Sequence, residues 1–205
     1  MRIGLLGGSF DPVHCAHIAL ATQALRELSL DEVQLIPAGQ PWQRPPLSAS
    51  PEHRIAMLEI AIQGHPGLVV NPLETQRSGP TFTIETLLNL PPGPTYYWIL
   101  GADQLQNFCT WHRWQEIIRL TRLAVVARPG STLVPPPLLQ DQMNLTGQTL
   151  SVIPFEPMNI AARDIRQRLA TGKTTSELLS PAVSNYIARH GLFQQHSKQP
   201  IDKPT

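Results

Sequence analysis

Residues 3 to 17 read Ile3-Gly4-Leu5-Leu6-Gly7-Gly8-Ser9-Phe10-Asp11-Pro12-Val13-His14-Cys15-Ala16-His17. Ile3 to Leu6 is short and apolar, two glycines break it, and Ser9, Asp11 and Pro12 prolong the break before a helical apolar pattern begins. That order spells a strand, a tight loop and a helix start. In an open α/β sheet such a junction lies at the carboxyl end of a strand. There, loop amides and a helix N-terminus face a crevice and favour an anion. Phosphate is therefore the expected ligand. With the helix beginning near Val13, His14 and His17 share one face of its first turn and point at the same crevice. A single histidine near a helix start is more often a surface or core residue, and two at this spacing after Gly-Gly weigh against that. Zinc is a second use for the pair together with a cysteine, but no further cluster at metal-ligand spacing accompanies it.

Two familiar phosphate loops do not match. The P-loop requires a Gly-Lys-Ser/Thr ending that is absent, and the glycines at 4, 7 and 8 do not make Gly-x-Gly-x-x-Gly. The chain has 205 residues with 41% hydrophobic content, enough for one domain with its own core. We expect that domain over 1–193, followed by a disordered polar tail over 194–205. A net charge of +1 argues against a dedicated nucleic-acid binder, so positive charge at an anion site has to be local. Two distant cysteines, Cys15 and Cys109, and no apolar leader or long apolar run point to a cytoplasmic protein without a membrane span.

Ile18 to Leu28 continues the first helix, and Val33 to Ile36 reads as the next strand, ending in a long proline-rich loop with Trp42 and Arg44. Ser50 caps a helix that has Pro51 at its first position and continues through Arg54, Met57 and Leu58. Leu68 to Val70 is a strand, and Gly79 to Thr86 opens a helix with Thr81, Thr83 and Thr86 at its start. Tyr96 to Leu100 reads as a central strand running into Gly101-Ala102-Asp103 and a helix with Leu105 and Phe108. Asp103 can hydrogen-bond ribose hydroxyls or simply cap the helix. Trp111 and Trp114 stand at i and i+3 of a helix, where they either form core or offer an indole face to a ring. Leu123 to Ala127 and Leu150 to Ile153 are strands, and Ser131 to Thr149, with Pro135-Pro136-Pro137, reads as a surface excursion. Arg163 and Arg166 open a helix and make a second anion site, and residues from Pro181 to Leu192 form a final amphipathic helix. The fold class is α/β: a doubly wound, mostly parallel, Rossmann-like sheet with helices on both faces.

Gly7 through His17 resembles the His-x-Gly-His signature of the nucleotidyltransferase superfamily, with Ala16 at the usual glycine. Gly101-x-Asp103 with Trp111 and Trp114, and Ile160 through Arg166, are similar to the bacterial nicotinate-nucleotide adenylyltransferases. In the last stretch Ala161 and Arg163 occupy the family's hydroxyl positions. The resemblance covers residues 1 to 193. It implies transfer of AMP from ATP to nicotinate mononucleotide, giving nicotinate adenine dinucleotide and pyrophosphate in NAD biosynthesis. It further implies catalytic roles for His14, His17 and Arg166. The ATP site would comprise Gly7, Gly8, Ser9, Phe10, His14, His17, Gly101, Asp103, Ile160, Arg163 and Arg166. The acceptor site would comprise Arg44, Thr83, Ile84, Trp111 and His112, with Thr83 and Ile84 at the nicotinate carboxylate, Trp111 under the pyridine and Trp114 in the core. Mg2+ would be held by ATP phosphates and water, with no protein metal ligands. The partners implied are the two small molecules, without nucleic acid or membrane, and a homo-oligomer stays open. Nicotinamide mononucleotide, or another phosphate acceptor such as a pantetheine, is the alternative substrate, and a non-catalytic nucleotide-binding module is the alternative class. A class I aminoacyl-tRNA synthetase is disfavoured by the missing Lys-Met-Ser-Lys-Ser.

Overall fold

The computed structural model describes residues 1–39, 47–156 and 158–194. Arg44 and Trp42 of the proline-rich loop, and the tail from residue 195 onward, lie outside the described residues. Among the described residues, six strands form one sheet: β1 (Arg2–Gly8), β2 (Glu32–Pro37), β3 (Leu68–Val70), β4 (Thr95–Gly101), β5 (Arg122–Ala127) and β6 (Ser151–Pro154). Their order is β3-β2-β1-β4-β5-β6, and every neighbouring pair is parallel. The expected doubly wound sheet is therefore present and wholly parallel. The chain moves outward from β1 through β2 to β3, then returns to place β4 on the other side of β1. That reversal between β1 and β4 is the switch point of the sheet, outside whose carboxyl edge a crevice opens.

A parallel sheet buried on both faces needs apolar side chains at successive positions, and β4 supplies them. Tyr97 and Ile99 join one cluster, whereas Tyr96, Trp98 and Leu100 join the other. The first cluster is covered by α1 (Cys15–Glu27), α2 (Pro51–Ala61), α7 (Ala162–Ala170) and α8 (Pro181–Arg189), which contribute Ala21, Met57, Leu58, Ile165 and Val183. The second lies under α3 (Thr83–Leu88), α4 (Ala102–Gln106), α5 (Trp114–Leu120) and α6 (Pro137–Thr146), with Ile84, Leu105, Ile117 and Leu139. Among the described residues no helix is long and apolar enough to cross a membrane.

Several local expectations change. The first helix starts at Cys15, with His14 as its N-cap, because Val13 is spent in the core at 1% exposure. The helix expected from Gly79 begins only at Thr83. Phe82 is its N-cap, and Thr86 lies inside it with its hydroxyl donating to Glu74 at 2.7 Å. Phe108 belongs to a 3-10 turn, Phe108–Thr110, not to α4. Trp111 and Trp114 do not share one helix. Trp111 ends the 3-10 turn in extended conformation, and the left-handed Arg113 separates it from α5. Ser131 to Thr149 is not merely an excursion, since α6 lies within it and buries Leu139 and Met143. The last helix stops at Arg189, and Leu192 and Phe193 pack against the core from beyond it.

Because α6 is docked through Leu139, which is 0% exposed, we expect Leu139→Ala to lower unfolding free energy by about 2–5 kcal/mol in urea titration. A loss below about 0.5 kcal/mol, the scale of ordinary surface substitutions, would show that α6 is not part of the core.

Candidate active site

The carboxyl end of β1 is shaped by close approach. A Cβ on Gly8 would stand 2.9 Å from the Phe10 ring, so only glycine lets that ring fold back over the strand end. Phe10 itself holds a left-handed φ of 47°, a conformation costing a bulky residue about 1–3 kcal/mol. Its side chain is 1% exposed and meets the His17 ring edge-on, with centroids 4.9 Å apart. Burial of the ring offsets the backbone cost and leaves Phe10 bracing one of the two imidazoles.

His14 and His17 stack with centroids 3.6 Å apart and an interplanar angle of 23°. The His14 amide donates to His17 Nδ1 at 3.2 Å, which leaves the proton of a neutral His17 ring on Nε2. Burial lowers the His14 pKa from 6.5 to about 4. Burial, with the neighbouring His14, lowers that of His17 to about 3. Both rings are thus neutral near pH 7 in the unliganded chain. A phosphate anion would favour the charged form and move these values back up.

A crevice of about 610 Å³ lies at the β1–β4 switch point, lined by Gly7, Ala16, His17, Gly101, Gln104 and Arg128 among others. The Ala16 methyl is part of its wall. His14 is not among the lining residues. It lines a separate cavity of about 440 Å³ with Val13, Cys15, Ile18, Thr22 and Val183. His14, the N-cap, and His17, one turn on, thus line two neighbouring cavities with their rings stacked on one another. At the β4 end, a Cβ on Gly101 would meet Asp103 Oδ1 at 2.7 Å, so the aspartate leans over the glycine while remaining exposed.

Of the acceptor residues, Ile84 and Trp111 lie on the other face of the sheet, and Arg44 lies outside the described residues. Ile84 is 0% exposed and part of the core, so only its backbone is available to a ligand. Trp111 is half-buried, 5.1 Å from the Phe108 ring and 6.4 Å from that of Trp98. Trp114 packs against Phe108 at 6.5 Å, and exposed His112 lies 4.8 Å from the Phe82 ring. On α7, Ile160 is half-buried just ahead of the helix and Arg163 is exposed. Arg166 Nη1 donates to the Asp11 carbonyl at 2.5 Å and stands 3.7 Å from the Asp11 carboxylate.

Asp11 and Arg54 are buried charged residues at this edge that the sequence reading did not single out as site residues. The Asp11 carboxylate accepts from the amides of Ser48 and Ala49 at 2.7 and 2.9 Å, which ties the first loop to the far end of the proline-rich one. Arg54 is 1% exposed and donates to the carbonyls of Ser9 and Ala38 at 2.9 and 2.7 Å. One signal was available for Arg54. It occupies the same helical stripe as Met57 and Leu58, at i, i+3 and i+4, where an apolar residue is the norm.

A parallel six-stranded sheet with this strand order, and an imidazole pair where its first strand meets the switch-point crevice, define an open α/β protein with a crevice at its carboxyl edge. The cytidylyltransferase-like family profile matches residues 5–168. A probable nicotinate-nucleotide adenylyltransferase of Bordetella pertussis is 56% identical over 193 residues, covering 94% of this chain and 98% of that protein. A namesake from Methylibium petroleiphilum is 38% identical, covering 92% of this chain and 89% of that protein. The fold is also that of the Plasmodium falciparum nicotinic acid mononucleotide adenylyltransferase complexed with NaAD, at 18% identity and a TM-score of 0.73, with 94% and 97% of the two chains covered. The chain belongs to the nicotinate-nucleotide adenylyltransferases of the cytidylyltransferase-like family.

The histidine pair has a consequence for acid stability. Above pH 6.5 the rings are neutral in folded and unfolded chains alike, so pH has no leverage through them. Below it the unfolded chain takes up protons that the folded chain refuses until about pH 4 and 3, so stability falls as pH drops through that window. Thermal midpoints measured from pH 7 to 4 are expected to fall more steeply for the wild type than for the His14→Gln/His17→Gln double variant. Parallel curves would show that the rings protonate freely in the folded protein.

Proposed function

We propose that this chain transfers AMP from ATP to nicotinate mononucleotide, releasing pyrophosphate and forming nicotinate adenine dinucleotide. The observation that carries this reading is the 56% identity to a relative of that name over 94% of the chain. The histidine pair, Gly101 and Asp103 support it by standing where β1 and β4 give way to the helices that follow them, and Trp111 by standing just past the 3-10 turn beyond α4.

In this reaction an oxygen of the acceptor 5′-phosphate attacks the α-phosphorus of ATP in line. The bond from that phosphorus to the bridging oxygen breaks, and pyrophosphate leaves with the electron pair. No protein nucleophile takes part, so the chain acts by positioning and by stabilising charge. Nε2–H of His17 donates to a phosphate oxygen in the crevice, and His14 supports that ring from behind. Arg166, with Arg163 on the same helix end, attracts the leaving pyrophosphate. Gly101 lets backbone approach the adenosine, and Asp103 accepts from ribose hydroxyls. On the acceptor side, Thr83 and the Ile84 amide receive the nicotinate carboxylate, Trp111 stacks on the pyridine, and His112 closes the edge. Mg2+ is expected to arrive on the ATP phosphates and to neutralise their charge. Among the described residues no group of three His, Cys, Asp or Glu side chains could hold a metal ion. A cytoplasmic setting fits the substrates.

The test is pyrophosphate release from Mg-ATP with nicotinate or nicotinamide mononucleotide. We expect the nicotinate form to be the better acceptor by at least tenfold, about 1.4 kcal/mol of preference, and His17→Ala to lower kcat/KM by about 10²–10³-fold. No turnover with either acceptor, in a chain that still binds ATP, would reduce it to a nucleotide-binding module. Trp111→Ala should raise KM for nicotinate mononucleotide by about tenfold, the scale of one lost ring stack, with little effect on KM for ATP. An unchanged KM would place Trp111 in the core alone.

A further inference from the structure

The largest of the fully buried side chains is not apolar. Arg54 is 1% exposed, and a buried guanidinium is costly unless its N–H groups find acceptors and a counter-charge stands near. Nη1 donates to the Ser9 carbonyl at 2.9 Å, Nη2 donates to the Ala38 carbonyl at 2.7 Å, and Nε has no partner among the described residues. Burial lowers the pKa of the group and the Asp11 charge opposes that. The two carbonyls belong to the loops leaving β1 and β2, on either side of the expected path of the phosphates.

In a trans peptide the carbonyl of one residue and the N–H of the next point in opposite directions. With the Ser9 and Ala38 oxygens drawn inward onto Arg54, the amides of Phe10 and Gly39 are turned the other way. The Gly39 amide reaches Glu74, which anchors the segment leading to α3. The Phe10 amide belongs to the left-handed residue whose ring braces His17. Unclaimed carbonyl oxygens at this edge would repel a triphosphate, and Arg54 removes two of them from it.

We propose that Arg54 is a positioning residue for the phosphate-binding loop: from beneath, it holds the Ser9 and Ala38 carbonyls toward the core and so sets the place of Phe10 and His17. The inference rests on the adenylyl-transfer reading for its kinetic readout. Lysine keeps the charge but not the rigid fork that spans two acceptors, so it separates geometry from charge. Methionine removes both. R54M leaves the Ser9 and Ala38 carbonyls without donors and is the costlier change, so R54K is the principal variant and R54M the second.

The experiment is steady-state kinetics of the full-length chain, wild type against R54K and R54M, with kcat expressed per folded molecule from circular dichroism and thermal melting. The expected result is a 10–100-fold fall in kcat for R54K, since misplacement by about 1 Å near the reacting groups costs on that scale. KM for nicotinate mononucleotide should stay within about threefold of wild type, as expected for a defect confined to the phosphate side. Wild-type kcat in either folded variant overturns the proposal, and so does failure of both to fold, which would make Arg54 a folding residue only. If the wild type itself shows no turnover, the transfer reading fails, and the loop is then read by binding of α,β-methylene ATP. Binding at least tenfold weaker in R54K sustains the positioning role, and equal binding overturns it.

Discussion

Where β1 and β2 leave the sheet, their peptide carbonyls lose the ladder partners that the strands provided and must find other donors at the place an anionic ligand has to approach. Water cannot serve them in a packed edge, and leaving them bare would place negative dipoles beside the ligand. The chain meets this with charged side chains. Arg54 takes the oxygens of Ser9 and Ala38, and Arg166 takes that of Asp11. Asp11 lies between the two cations and uses its own carboxylate to gather the amides of Ser48 and Ala49. The β1–α1 loop, the loop after β2 and α7 are thereby joined through one small cluster of charge. Removing a single member leaves the others buried without partners, which is why such clusters specify one geometry.

The imidazole pair depends on that geometry. Two stacked rings at 3.6 Å cannot both be charged without mutual repulsion, and their burial already favours the neutral form. A neutral Nε2–H donates a hydrogen bond at less desolvation cost than an imidazolium would incur, and it can gain charge character when the phosphates arrive. Of the two stacked rings, His17 lines the crevice and His14 lines the neighbouring cavity.

How much of this was readable depended on how local each signal was. Strand β3 and the Ser50–Pro51 helix start are written in adjacent residues and appear where the pattern places them, whereas β1 runs on through Gly7 and Gly8, the glycines read as its end, because both still pair with β2. Helix α6 starts on the last of three prolines and contributes Leu139 and Met143 to the interior, too narrow a stripe to register as periodicity. Trp111 and Trp114 keep helical spacing, but the left-handed Arg113 between them breaks the helix, and spacing cannot reveal a backbone angle. The site divides in the same way. His14, His17, Gly101 and Arg166 follow from motifs at strand and helix ends. The partners of Asp11 and Arg54 lie 37 to 45 residues away or more in several cases, and only packing brings them together.

A chain with a net charge of +1 cannot draw a polyphosphate by its overall field, so the attraction has to be built at short range. Helix α1 is suited to this, since its first turn carries no acidic residue and its N-terminal dipole is not cancelled there. The Asp11 cluster adds two guanidinium charges against its one carboxylate, a local surplus that Glu52, which also acts on Arg54, partly offsets. That surplus bears on the two hydroxyl positions occupied here by Ala161 and Arg163. A hydroxyl contributes one neutral donor to a phosphate, whereas a guanidinium in the first turn of α7 contributes charge over a longer range. Asp164 in the same turn opposes part of it. Under the proposed function, the phosphate end of this site would rely on charge and backbone dipoles, with side-chain hydroxyls in a minor place, and binding there should weaken with added salt more than at a site built on neutral donors.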